Sequence, residues 1–269
     1  MRRLLGASKA GHVGSLDPLA TGMLPICLEE ATKVAGDILA GRKCYRFSIG
    51  LGTRTATGDA EGAVVESQPV PPLDDAHVRR ALDGFLGPQT QIPPMYSALK
   101  QGGQPLYRLA RAGQEVERAA RTIEISSLLF LGRVDATLSL EVVCSKGTYV
   151  RTLAEDVARA LGTCGYVTRL RRVYVEPFVA ETMQTLESIA ALRADGRWPT
   201  LLGADFAVRH LAAVNLDAAG TARLLHGQAV VTGASLSGRV RLYDDSGRFL
   251  GMGEADGRGE VRPRRLFVL

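Results

Sequence analysis

Apolar residues along this chain recur at two periods. In the stretch 43–51, Tyr45, Phe47, Ile49 and Leu51 alternate with smaller or polar residues, the period of a strand with one buried face. The alternation returns at Ile123 and Ile125, and again where Ala136, Leu138, Leu140 and Val142 interleave with Thr137, Ser139, Glu141 and Val143. A further run, 166–175, reads as a basic strand whose Arg169, Arg171 and Arg172 either line an anionic groove or decorate a wet sheet face. Helical spacing appears at Val78, Leu82 and Phe85, behind a cap at Asp74 or Asp75 and closed by Gly87-Pro88. It appears again at Val150, Leu153, Val157 and Leu161, capped by Thr148 and ended by Gly162, and at Leu186, Ile189 and Leu192. Between these lie the turn-rich 58–62, a short strand at Val64-Val65 and a proline-rich break over 69–72.

Two regions depart from this regularity. The segment 93–121 is polar, punctuated by glycine and basic at Lys100, Arg108, Arg111, Arg118 and Arg121, with Tyr96 and Tyr107 interleaved. It reads as an exposed, mobile excursion, either a grip on a phosphate backbone or a solvated face. After the pattern changes at 203–211, short strands are expected at 230–231, 239–243, 249–252 and 266–269, with a turn over 244–247. Such a compact β-rich stretch is typical of an appended recognition module. A length of 269 residues, 46% of them hydrophobic, accommodates one large domain and this small one.

Charge and reactive residues narrow the chemistry. The formal net charge of +5 fits a polyanionic partner without specifying a fold. Only Lys9, Lys33, Lys43, Lys100 and Lys146 are lysines; the remaining basic residues are arginine, the better bidentate partner of phosphate. Cys27, Cys44, Cys144 and Cys164 form no Cys-x-x-Cys pair, and His12, His77, His210 and His226 show no metal-ligand spacing. No glycine-rich phosphate loop is present, so neither a metal nor a cofactor is expected. No apolar run has the length of a membrane span and the first residues lack a secretory signal, which makes the cytoplasm the expected compartment.

One loop concentrates the candidate chemistry. Gly11, Gly14, Gly22 and Pro18 surround a single acid, Asp17. Glycine reaches backbone angles closed to other residues, and a residue before proline is pushed toward extended geometry, so Asp17 is expected on a shaped loop outside any helix. The residues alone leave a presented carboxylate and an ordinary turn both open, and turn vocabulary favours the second. Arg151 falls in the first turn of the helix beginning near 150, where the macrodipole disfavours a cation by about 0.3–1 kcal/mol. It therefore has an anionic partner or is an ordinary exposed arginine.

The stretch 11–33, ending Glu29-Glu30-Ala31-Thr32-Lys33, resembles the signature of the TruB family of tRNA pseudouridine synthases. The resemblance extends in order through Lys43-Cys44-Tyr45, Pro93 to Lys100, the segment 144–152 and a C-terminal stretch ending Val261-Arg262-Pro263-Arg264-Arg265 that is similar to a PUA domain. It implies an α+β fold: a mixed, largely antiparallel central sheet with flanking helices and a C-terminal β-rich PUA-like domain. The corresponding division is a catalytic domain over 1–205, carrying a thumb-like insertion at about 94–121 that closes on the T arm, and an RNA-binding domain over 206–269.

The implied activity is isomerisation of uridine to pseudouridine at position 55 in the T loop of tRNA, without cofactor or metal, by a monomer needing no protein partner. The resemblance makes Asp17 the catalytic aspartate, attacking the sugar C1′ or removing a sugar proton; either role needs an ionised carboxylate, which a nearby guanidinium favours. Arg151 matches the arginine that pairs with it. Tyr45 matches the tyrosine that stacks on the flipped base and assists proton transfer; on its own pattern it belongs with the core face of Phe47 and Ile49. Tyr149 and Leu170 match pocket residues, and His12 matches the histidine that inserts where the base was displaced. Lys33 is a candidate phosphate contact, as are Arg108 and Arg111 in the insertion.

Val13 stands where the family usually has threonine, and Glu29 where it usually has glycine. Family members carry a further segment with a Lys-Pro-x-Gly stretch ahead of this point, whereas this chain opens at Met1-Arg2-Arg3-Leu4-Leu5, expected to lie within the following helix; the chain is N-terminally short. Three other readings share some of these features. A guide-RNA-dependent synthase has the same aspartate motif but normally bears basic extensions and depends on protein partners. A tRNA-binding or folding protein without catalysis needs no Asp17, Tyr45 and Arg151 set. A glycosidase-type hydrolase needs a second carboxylate across the bond, which the motif does not supply.

Overall fold

The computed structural model describes residues 1–233 and 235–267. Packing divides the chain into two compact units interleaved in sequence: Ser15–Leu24 with Gly41–Val175, and Met1–Gly14 with Pro25–Ala40 and everything from Glu176 onward. The loop that carries Asp17 belongs to the first unit, while both of its flanks belong to the second.

The first unit is built on a six-stranded sheet in the order Thr21–Gly22, Gly165–Val175, Lys43–Leu51, Thr137–Cys144, Arg121–Val134, Gly87–Gln91. Every neighbouring pair is antiparallel except Thr21–Gly22, which runs parallel to Gly165–Val175. The strands form where alternation predicts them. In Thr137–Cys144 the apolar set Leu138, Leu140, Val142 and Cys144 is fully buried while the intervening residues are partly exposed. On that face pack the helix Val150–Ala160, through Val150, Leu153, Ala154 and Val157, and the helix Asp75–Asp83, through Val78 and Leu82. Each fully buried Leu or Val contributes about 1.5–3 kcal/mol relative to leaving it exposed, so this cluster is the main apolar stabilisation of the sheet.

Three local expectations are corrected. Gly87-Pro88 does not merely close a helix; it opens the edge strand Gly87–Gln91, and Pro88 is tolerated because an edge strand leaves one side unpaired. Thr148 does not cap the helix: its hydroxyl donates back to the Ser145 carbonyl at 3.0 Å, and Tyr149 occupies the cap position. Residues 2–6 form turns rather than a helix, with Leu5 N–H donating to the Met1 carbonyl at 2.9 Å.

The second unit centres on a five-stranded sheet ordered Ala212–Asn215, Ser237–Tyr243, Phe249–Asp256, Glu260–Leu266, Val230–Val231. Its core is Val214, Leu216, Leu224, Val230, Val240, Leu242, Leu250, Ala255 and Val261. Asp217 caps the helix Ala218–Leu225 by accepting from Gly220 N–H. The last strand ends at Leu266, with Phe267 beyond it; Val268 and Leu269, included in the expected terminal strand, lie outside the described residues. In the same unit the strands Ala10–His12 and Ile26–Leu28 pair and lead into Glu29. Glu29 has φ +48°, the left-handed region that glycine enters freely, which explains why glycine suits this position. Here the carboxylate accepts from both Ser8 N–H and Ser8 Oγ at 2.5 Å, an anchor that offsets the strain and holds the Glu29 carboxyl below its usual range.

Candidate active site

Asp17 opens a turn: the Ala20 N–H donates to its carbonyl at 2.8 Å. Leu19 and Ala20 then pack against the core of the first unit, which pins the loop from its apolar side. The turn reading and the presented-carboxylate reading are thus both true of the same residues. The Asp17 side chain keeps 34% of its surface open to solvent.

Behind it stands Arg151, in the first turn of the helix Val150–Ala160, its side chain only 6% exposed. Its Nη2 donates to Asp17 Oδ1 at 3.1 Å, and its Nε lies 2.8 Å from Oδ2, an ion contact whose N–H is not aligned well enough to be a hydrogen bond. Two further N–H groups bond to backbone: Nη1 to the Thr57 carbonyl at 2.9 Å and Nη2 also to the Tyr96 carbonyl at 2.8 Å. A cation buried at a helix start against the macrodipole is held here by a carboxylate and two carbonyls. Removing Arg151 would leave its carboxylate partner without a counter-charge, and breaking a buried pair in this way typically costs about 3–5 kcal/mol.

A second acid completes the set, and sequence reasoning passed over it. Asp59, read as part of a turn, is buried, with Oδ2 3.8 Å from Arg151 Nε. Its Oδ1 accepts from Thr57 Oγ1 at 2.5 Å and Glu61 N–H at 3.1 Å, which fixes the carboxylate. Two carboxylates thus face one guanidinium, with the more exposed of them on the loop. The absence of any hydrophobic neighbour pattern around Asp59 hid it; the signal available was an acid in a glycine-flanked turn, the same vocabulary as Asp17.

Gln91 is the other missed residue. It is buried on the edge strand and makes two bonds to the backbone of Tyr149: Nε2 donates to the Tyr149 carbonyl at 3.1 Å and Oε1 accepts the Tyr149 N–H at 2.8 Å. The side-chain amide thereby acts as one more strand partner at the start of the helix that delivers Arg151, where no side-chain cap is present.

Tyr45 packs half-buried against the core and is the cross-strand neighbour of Arg172. Burial pushes its phenol up from 10.0; the Arg172 guanidinium works against the rise, and the Asp17 carboxylate adds to it. The ring therefore carries a neutral O–H at neutral pH. Leu170 is buried opposite Phe47 on the neighbouring strand, and Tyr149 is partly exposed at the helix cap. Arg108 and Arg111 are exposed on the short helix Leu106–Arg111, Arg111 lying 5.8 Å from the centre of the Tyr107 ring. Cys44 and Cys144 are buried thiols pushed up to about 11 by desolvation, hence protonated and unreactive.

The two remaining sequence candidates belong to the second unit. His12 is exposed, its Nδ1 2.5 Å from the Gly14 carbonyl. The Lys33 ammonium is engaged by the Glu30 carboxylate and by the Leu266 carbonyl at 2.7 Å, and sits 5.6 Å from the Phe267 ring centre.

Comparison with known proteins places this geometry among relatives. Residues 2–150 match the family described as TruB family pseudouridylate synthase (N terminal domain), residues 151–203 the tRNA pseudouridylate synthase B C-terminal domain, and residues 212–267 the family described as Pseudouridine synthase II TruB, C-terminal. A protein of Aromatoleum aromaticum named tRNA pseudouridine synthase B is 49% identical over 98% of this chain and 85% of its own length. Proteins of the same name from Chromohalobacter salexigens and Burkholderia mallei are each 47% identical over 99% of this chain and 87% and 90% of theirs. Among solved structures, one titled as a Cbf5-Nop10-Gar1 complex aligns over the whole chain and 78% of its own with a TM-score of 0.72 at 23% identity. Another, an H/ACA RNP bound to a substrate RNA containing 2′-deoxyuridine, gives 0.75 at 20% identity, covering the whole chain and 79% of its own. At those identities the two structures establish the shared α+β fold.

Proposed function

This chain belongs to the TruB family of pseudouridylate synthases, and from that premise we propose that it converts uridine 55 in the T loop of tRNA to pseudouridine, with Asp17 as the reacting carboxylate. The observation that carries the reading is a partly exposed carboxylate on a pinned loop, gripped from behind by a buried guanidinium. The relatives' names supply tRNA as the substrate.

In this reaction the N1–C1′ bond breaks, the uracil turns, and a C5–C1′ bond forms; the C5 proton is lost and N1 ends protonated, so the composition is unchanged. Asp17 starts it by bonding to C1′ as uracil departs or by taking a sugar proton. Arg151 serves both routes by holding the carboxylate as an anion in one orientation, so that little reorganisation accompanies bond breaking. Tyr45 offers an aromatic face for the turned base, worth about 1–3 kcal/mol against the cost of unstacking it, and a neutral O–H for proton traffic. Tyr149 and Leu170 line the pocket, and His12 fills the place the base leaves.

Arg108 and Arg111, exposed on the 94–121 insertion, meet phosphates of the T arm. The small β-rich sheet of the second unit acts as the PUA-like RNA-binding element. The enzyme works as a monomer in the cytoplasm without a protein partner; among the described residues no helix is long and apolar enough to cross a membrane.

The test is product identity. After incubation with a T-arm transcript, the RNA is digested and its nucleosides are separated. Pseudouridine at position 55 supports the reading. Free uracil would instead mean hydrolysis, and tight binding with intact uridine would mean an RNA-binding or folding protein.

A further inference from the structure

Arg172 was expected in a groove or on a wet face, and it is in neither. It is only 2% exposed, in the strand Gly165–Val175, with Gly22 as its partner on one side and Tyr45 on the other. The register slips between Arg172 and Tyr174, an irregularity of the kind that re-aims a side chain. Its guanidinium reaches the loop on both sides of Asp17: Nη1 donates to the Ser15 carbonyl at 3.1 Å and Nε to the Met23 carbonyl at 2.6 Å. Its own carbonyl accepts the Met23 N–H at 2.8 Å. Gly22 makes this approach possible. With φ +102°, a Cβ there would lie 2.1 Å from the Arg172 carbonyl oxygen.

We propose that Arg172 is a positioning residue, a two-point clamp on residues 15–23 that fixes Asp17 relative to Tyr45 and Arg151 without touching the substrate. The inference rests on the pseudouridine synthase reading for its kinetic consequence but not for its structural one. The loop is also tied by Leu19 and Ala20 on the core, by Arg151 at Asp17 and by the pairing of Thr21–Gly22 with the same strand, but among the described residues only the Arg172 guanidinium joins the part of 15–23 before Asp17 to the part after it. Two carbonyls three or more residues apart require a forked donor; a lysine ammonium at the same place reaches one of them with a single point charge. Arg172 Nη2 is buried without a hydrogen-bond partner, which is tolerable for a group whose purpose is orientation, and the nearby guanidinium also tempers the rise of the Tyr45 phenol.

The experiment compares wild type with Arg172→Lys by single-turnover rate, T-arm affinity and hydrogen exchange of peptides covering 15–24. A displacement of the order of 1 Å in a reacting group costs about a hundredfold in rate. The expected result is a rate loss of about that size with affinity within about threefold, and faster exchange confined to 15–24. A wild-type rate, a loss of affinity that accounts for the loss of rate, or unchanged protection of 15–24 each overturns the clamp. Were wild type to form no pseudouridine, the functional reading would fail while the exchange arm still decided the clamp. If Arg172→Lys does not fold, Gly22→Ala keeps the guanidinium and displaces the loop exit from the Arg172 carbonyl; the same pattern is expected, and the same outcomes overturn the proposal.

Discussion

Arg151 and Arg172 are almost fully buried, whereas Arg108 and Arg111 stand in solvent on the 94–121 insertion. The first pair is engaged by the chain itself: a carboxylate and the carbonyls of residues 57 and 96 for Arg151, those of residues 15 and 23 for Arg172. The second pair forms no ion pair among the described residues. Chemically identical side chains therefore sit in opposite environments, and the proposed functions divide along the same line. In the proposed reading, buried guanidiniums set geometry around Asp17 at a desolvation cost that their pairing offsets, while exposed ones keep their donors for a polyanion.

The sharpest way to break this contrast is Arg151→Met. It strands Asp17 and Asp59 beside an apolar side chain, and a loss of about 3–5 kcal/mol in urea denaturation is expected. A cost below 1 kcal/mol would mean that Arg151 is not the electrostatic centre of the site. The milder Arg151→Lys is expected to lower turnover with little change in RNA affinity, because an ammonium cannot grip both carboxylate oxygens.

Gln91→Leu removes both bonds to the Tyr149 backbone and leaves the Tyr149 N–H without its partner, while the carbonyl keeps the Leu153 N–H. A destabilisation of about 1–3 kcal/mol is expected, together with slower turnover. If turnover is untouched, the start of the helix does not depend on that amide.

On the exposed side, Arg108→Ala with Arg111→Ala is expected to leave folding stability within about 0.5 kcal/mol. It should also flatten the salt dependence of RNA binding by roughly one slope unit per lost phosphate contact. An unchanged slope would place the insertion away from the RNA.

The smallest effect lies in the second unit. Ser246 Oγ, with backbone and side-chain donors of Arg248, holds the Asp244 carboxyl down from 3.8 to about 2. A depressed carboxyl stabilises the folded state above its unfolded value, and that contribution is lost as pH falls from about 3.8 through about 2. Asp244→Asn should flatten this acid limb in a pH series of thermal midpoints; an identical limb would remove Asp244 from the turn's energetics.

Strands and helices were legible where one face is buried, because Tyr45, Phe47, Ile49 and the Val150, Leu153, Val157 stripe answer to a simple period. The clamp and the second carboxylate were not, because the partners are far apart in sequence. Thr57 and Arg151 are 94 residues apart, Ser15 and Arg172 are 157, and nothing local distinguishes a buried arginine on a strand from a solvated one. Thr148 looked like a cap because its hydroxyl is of the right kind; the Gln91 amide, 58 residues away, holds that helix start instead. Asp17 itself was legible as a turn residue from chemistry and as a catalytic one only through resemblance, and the geometry accommodates both.

The central claim is that Asp17 starts the isomerisation. Its most direct measurement is single-turnover release of tritium from a T-arm transcript labelled at C5 of uridine 55, comparing wild type with Asp17→Asn. The expected result is prompt release by wild type and a loss of at least about a hundredfold in Asp17→Asn, with RNA affinity retained. Release by Asp17→Asn at the wild-type rate would contradict the account.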